Sequence, residues 1–154
     1  MKGVVTTKKI ALFIMIAFST IILTSCSDDM EIGDVFEGEL TTYPGVSMSV
    51  DGKAYPATAT IIITNNSDCD IGIWNATDCL IQIEIDDEWY DLISKDVVTP
   101  GIHSDYEKGS STSVVVNWSA RFGALPAGHY RVSHRFHLPD EHDDYVMAAE
   151  FSLE

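Results

Sequence analysis

From Val46 to the end of the chain, apolar and polar residues alternate with a period of two. Val46, Met48 and Val50 alternate with Ser47, Ser49 and Asp51, and Asp51-Gly52 closes the run with a turn. Ala57, Ala59, Ile61 and Ile63 form a second stripe, opposed by Thr58, Thr60 and Thr64, until Asn65-Asn66-Ser67 breaks it. Ile81, Ile83 and Ile85 form a third; Asp86-Asp87-Glu88 turns the chain, and Trp89-Tyr90-Asp91-Leu92 returns as a hairpin partner. Further stripes run through Val114, Val116 and Trp118, through Tyr130, Val132 and Phe136, and through Tyr145, Met147, Ala149, Phe151 and Leu153. No helical period is sustained after Cys26. About seven short strands, each with one apolar face and each ended by a turn, predict an all-β fold: a two-sheet antiparallel sandwich.

The N-terminus follows a different pattern. Met1 to Lys9 carries Lys2, Lys8 and Lys9 and no acid, and Ile10 to Leu23 is almost wholly apolar. That stretch is shorter than the roughly 20 residues a spanning helix needs, and it ends in small and polar residues. Residues 1–25 therefore read as a secretory signal peptide with a helical apolar segment. Leu23-Thr24-Ser25-Cys26 resembles the lipobox of bacterial lipoproteins, an aliphatic residue and two small ones before the cysteine that takes the lipid. The resemblance implies cleavage before Cys26 and a covalent diacylglycerol or palmitate on its thiol, with no other cofactor. It also implies that the membrane is a partner through the lipid anchor, and that the protein stands on the extracytoplasmic face of the cell membrane. An ordinary signal peptide followed by a spare thiol is the alternative.

Residues 26–42 read as the lipidated cysteine and a disordered acidic tether, because Asp28, Asp29, Glu31, Asp34, Glu37 and Glu39 are interspersed with hydrophobes that do not alternate. An acidic first strand is the lesser reading for the same reason. The remainder, 43–154, suffices for one domain with one core. All 24 acids lie after Cys26, against six bases there, a net charge of −18. Such a chain has no basic stripe for phosphates, so nucleic acid is excluded as a partner.

Leu125-Pro126-Ala127-Gly128-His129-Tyr130 looks like a tyrosine corner, in which Leu125 packs inward, Pro126 and Gly128 set the turn, and Tyr130 bonds back to the backbone. With it, Val115-Val116-Asn117-Trp118, Phe122 to Val132, Phe136 and Val146 to Phe151 resemble the C-terminal half of a bacterial immunoglobulin-like domain found in Gram-positive lipoproteins and secreted proteins. Ile62 to Ser67 and Glu88-Trp89-Tyr90 are similar to that family's second strand and hairpin, although Asp87-Glu88 stands where Gly-Lys is usual. The resemblance runs from about Gly45 to Glu154. It implies an immunoglobulin-like sandwich outside the cytoplasm, with no assigned catalytic residue and no settled ligand. A more distant similarity to the proteinase-inhibitor sandwiches of bacilli carries no inhibitory site across.

Two cysteines remain after Cys26. An even pair in an exported domain suggests a disulfide between Cys69 and Cys79, stapling a loop from Asp70 to Asp78 and contributing about 2 to 3 kcal/mol. Two unpaired thiols are the alternative.

Candidate chemistry is thin. His137, Asp140, Glu141, His142, Asp143 and Asp144 gather before the last strand, but their spacing matches no zinc or calcium pattern, so no metal site is expected; His137, Asp140 and His142 are the nearest candidates. Asp86, Asp87 and Glu88 are consecutive in a turn and point apart. His129, Arg131, Arg135 and His137 share one strand face, where charge balance against acids on neighbouring strands outweighs an anion site. The chain carries no nucleophile turn, no phosphate-cradling loop and no HExxH. The expectation is a non-enzymatic, membrane-anchored recognition or structural module, meeting a protein or other cell-envelope partner. A surface hydrolase or metal-binding protein and an extracellular protease inhibitor are the alternatives.

Overall fold

A computed structural model describes residues 30–38, 40–74, 79–98, 100–139, 141 and 144–154. Among these residues the chain forms β1 (Glu31–Val35), β2 (Val46–Val50), β3 (Thr58–Asn65), β4 (Ile71–Trp74), β5 (Leu80–Ile85), β6 (Glu88–Ile93), β7 (His103–Tyr106), β8 (Ser110–Asn117), a single turn of helix α1 (Ser119–Phe122), β9 (Gly128–His137) and β10 (Asp144–Leu153).

The strands divide into two antiparallel sheets. One contains β2, β3 and β8 in that order; the other holds seven strands, with β10 along one edge of β9 and both β5 and β4 along its other edge. From β5 that sheet continues through β6 to β1, and from β4 to β7. Strand β3 buries Ala59, Ile61, Ile63 and Asn65 on one face, the period-two pattern read directly as burial. Ile61, Ile63 and Val116 of the small sheet meet Ile81, Val132 and Phe136 of the large one, all essentially inaccessible. Each such side chain contributes roughly 1.5 to 3 kcal/mol of transfer free energy. The β5–β6 hairpin turns through Asp86 and Asp87, both left-handed at φ 53° and 64°, the conformation whose twist matches two-residue hairpins.

At the end of β3 a buried asparagine organises the crossing to β4. Asn65 Nδ2 donates to the carbonyls of Cys69 and Tyr106, both at 2.9 Å, and its Oδ1 accepts from Ser67 N at 3.1 Å and Ser67 Oγ at 2.6 Å. Every polar position of this side chain is used, which offsets the cost of burying an amide. Gly45 lies close by at φ 85°, where a Cβ would come within 2.8 Å of the Asn66 backbone.

The structure corrects three expectations. The acidic segment is not wholly a disordered linker, since residues 31–35 form β1 and pair with β6 through Glu31–Ile93, Ile32–Leu92 and Val35–Tyr90. Backbone pairing at a sheet edge does not require alternation, and both faces of β1 remain largely exposed. Its ends are held, by Met30 against the core and by Phe36 N donating to the Trp89 carbonyl at 2.7 Å. Secondly, residues 70–78 are not simply a loop, because they contain β4. Thirdly, Cys69 and Cys79 are free thiols and do not form the expected disulfide. Gly72 pairs with His137 and Leu80 with Ser133, so β4 and β5 run in the same direction along one edge of β9. That path separates Gly72 from Leu80 by four residues of β9, roughly 13 Å, and Cys69 lies further back still. A bridge requires Cα atoms within about 7 Å.

Candidate functional site

The Leu125 to Tyr130 turn has the geometry of a tyrosine corner. Tyr130 is fully buried, and its hydroxyl donates to the Pro126 carbonyl at 3.0 Å. Its ring stacks on Phe151 at 5.6 Å, and Phe151 stacks on Trp118 at 5.4 Å. Trp118 Nε1 and Leu125 N both donate to the Pro56 carbonyl at 2.8 Å, tying the turn to the start of β3. Gly128 packs beneath the phenol ring, where a Cβ would stand 3.1 Å from it. Burial pushes the Tyr130 hydroxyl up to about 12.

On the outer face of the large sheet a polar row crosses four strands. Asp91, Gln82, Arg131 and Glu150 are successive register partners on β6, β5, β9 and β10. The Gln82 amide works as a relay: its Nε2 donates to Asp91 Oδ1 and its Oε1 accepts from Arg131 Nε, each at 2.7 Å. Trp89 and Phe36 cover the guanidinium at 4.4 and 5.2 Å, a cation–π sandwich that leaves both Gln82 and Arg131 buried. Next to this row His129 Nδ1 lies 2.6 Å from Glu84 Oε2, and Nε2 lies 3.7 Å from Glu150 Oε2. Two of the four residues expected on the basic face are thus matched to acids or to a relay from neighbouring strands. Sequence reasoning missed the burial of Gln82 and the cover that Phe36, from outside the assigned domain, gives its partner Arg131.

Further along the same face, His137 meets a partner that was not foreseen. His103 on β7 and His137 on β9 flank Gly72 of β4, and their Nε2 atoms are 3.3 Å apart. Trp74, two residues along β4 and 65% exposed, sets its ring edge-on to His103 at 4.5 Å and lies nearly parallel to His137 at 6.3 Å. Asp105 Oδ1 faces His103 Nδ1 at 3.4 Å, and Asp144 is the register partner of His137. Asp140 and His142, the other residues named with His137, lie outside the described residues, as does Cys26. Among the described residues no group of three or more His, Cys, Asp or Glu is arranged to hold a metal.

Two cavities adjoin these elements. A trough of about 800 Å³ runs between the end of β2 and β10, past Lys53, Glu150 and Glu154. A smaller one of about 360 Å³ is lined by Trp74, His137, Arg135, Asp144 and His134, among others. His134 faces the core; burial pushes its imidazole down to about 4, and among the described residues its Nε2 has no partner. Cys79 is buried too, its thiol pushed up to about 12, which makes it a poor nucleophile. Neither cavity brings a nucleophile, a base and an orienting acid together among the described residues.

Two antiparallel sheets of three and seven strands, a buried tryptophan at the end of β8 and a tyrosine corner leading into β9 define the architecture. Residues 42–152 match the family described as bacterial Ig-like domain. The chain belongs to that family. Neither curated proteins nor solved structures gave a match. The Ig-like domain accounts for every strand from β2 to β10 and leaves β1 as an addition that precedes the matched region.

Proposed function

We propose that the chain is the precursor of a lipid-anchored extracytoplasmic protein whose Ig-like domain serves as a non-catalytic recognition or structural module. The observation that carries this reading is the order of Lys2, Lys8 and Lys9, the apolar run Ile10 to Leu23, and Leu23-Thr24-Ser25-Cys26, placed directly before the domain. Signal peptidase cleavage before Cys26 leaves its thioether-linked diacylglycerol as the anchor. Membership of a family of bacterial Ig-like domains supports the non-catalytic part. So does the chemistry of the outer sheet face, where Gln82, Arg131, Asp91, His129 and Glu84 engage one another instead of converging on an open site.

The partner is a protein or other cell-envelope component. A mature charge of −18 argues against nucleic acid, and exposed apolar residues such as Trp74, Ile102 and Val115 offer contact area without requiring a pocket. Metabolic labelling with a clickable palmitate tests the anchor. The wild-type chain should label, and Cys26→Ser should remain unlabelled and run at the unprocessed size. Labelling that persists in Cys26→Ser would refute the reading.

A further inference from the structure

We propose that His103 and His137 bind a zinc(II) ion at the face of the large sheet over Gly72, with Asp105 as the carboxylate that orients His103. The inference does not depend on the lipid anchor.

The two imidazoles come from strands that are not neighbours, since β4 lies between β7 and β9. They meet because the position between them is glycine. A Cβ on Gly72 would stand 2.7 Å from His103 Nε2 and closer still to His137 Nε2, so any other residue there would push the rings apart. The space a side chain would fill is left to the two ring nitrogens.

Without an ion the two rings are within range of an N–H···N hydrogen bond, and the same separation fits one coordination geometry. Two nitrogens bound tetrahedrally at the usual zinc–imidazole distance of about 2.0 to 2.1 Å stand about 3.3 to 3.4 Å apart, whereas cis positions in a square plane bring them to about 2.9 Å. The observed 3.3 Å matches the tetrahedral value. Metal-bound histidines characteristically turn their second nitrogen to a carboxylate, which fixes the tautomer and raises the basicity of the ligating nitrogen. Asp105 stands on that side of His103, its Oδ1 in ion-pair range of Nδ1 at 3.4 Å, near enough to close to a hydrogen bond once the ring is held by a metal. Asp105 and Asp144 add negative charge on the same face, and the whole chain carries a formal net charge of −15, so a divalent cation is attracted to this end of the sheet. Water fills the two remaining coordination positions.

Calorimetric titration of zinc chloride into the purified full-length chain in detergent tests the proposal. The wild type should bind one ion saturably. His103→Ala and His137→Ala should each weaken binding by at least about tenfold, and Asp105→Asn by about tenfold, as losses around metal sites do. Gly72→Ala should weaken it as much as losing a ligand, although both imidazoles are retained. His129→Ala, which removes the histidine paired to Glu84, should leave binding unchanged. A second measurement needs no substitution: in the ring 15N spectrum of the wild type, zinc should shift the Nε2 resonances of His103 and His137 together. Absence of saturable binding, a loss in His129→Ala instead, or a shift of one ring alone would each overturn the site.

Discussion

Replacing His134 by leucine should remove a large part of the domain's sensitivity to mild acid. His134 points inward from β9 between Val132 and Phe136, opposite Met147, and is 2% exposed. Its folded-state value lies near 4, against 6.5 for an unperturbed imidazole, and desolvation is the cause. The unfolded chain therefore takes up a proton as pH falls through about 6.5, while the folded one stays neutral until about 4. Stability from this residue is fully present above 6.5 and is lost on acidification through that window. One proton over the interval from about pH 7 to about pH 5 corresponds to about 2 kcal/mol. Carboxylates titrate in the same range, but wild type and His134→Leu share them, so the difference between the two isolates the histidine. Urea melts at the two pH values, with a chelator present, should show the wild type losing about 2 kcal/mol more than His134→Leu at unchanged slope. Equal losses in both proteins would mean that His134 takes up its proton without unfolding, and would refute the assignment of a neutral core imidazole.

Three further outcomes follow from the packing. Tyr130→Phe deletes the bond to the Pro126 carbonyl and keeps the ring stack on Phe151, so urea melts should record a loss of about 1 to 2 kcal/mol; a shift within a few tenths would mean that the corner bond contributes nothing. Asp87→Gly relieves a left-handed non-glycine at φ 64° and should stabilise the hairpin by up to about 1 kcal/mol, read as a higher urea midpoint. Alkylation followed by intact mass should modify Cys69 in the native chain and Cys79 only after denaturation, because Cys69 is half-buried and Cys79 is fully enclosed.

The strands that were legible are those that bury one face. Ala59, Ile61 and Ile63, or Met147, Ala149 and Phe151, announce themselves because the period of two is also the pattern of burial. Strands β1 and β7 send no such signal: Ile32 and Val35 lie exposed on an edge, and Tyr106 alone is buried in β7. Strand β4 is four residues long and half glycine and tryptophan, so it reads as a turn. The paired cysteines misled because an even count says nothing about path, and here β4 and β5 follow one edge of β9 in line. His103 and His137 stand 34 residues apart on strands separated by a third, a meeting that only the topology reveals. The tyrosine corner was readable because all its parts are local in sequence.

The docking of β1 changes what an anchored domain can reach. A free segment from Cys26 to Thr42 could stretch over about 55 Å, whereas the chain from Cys26 to Glu31, where the sheet begins, spans at most about 18 Å. A lipid on Cys26 would then hold the sandwich close to the headgroups, and its encounters would be confined to a thin layer in which diffusion is two-dimensional. In such a layer even a weak contact gains from effective concentration, provided that the partner presents itself at the same height. The acidic surface works against this confinement over a Debye length of about 10 Å, so the domain would be pressed toward the outer limit of its leash.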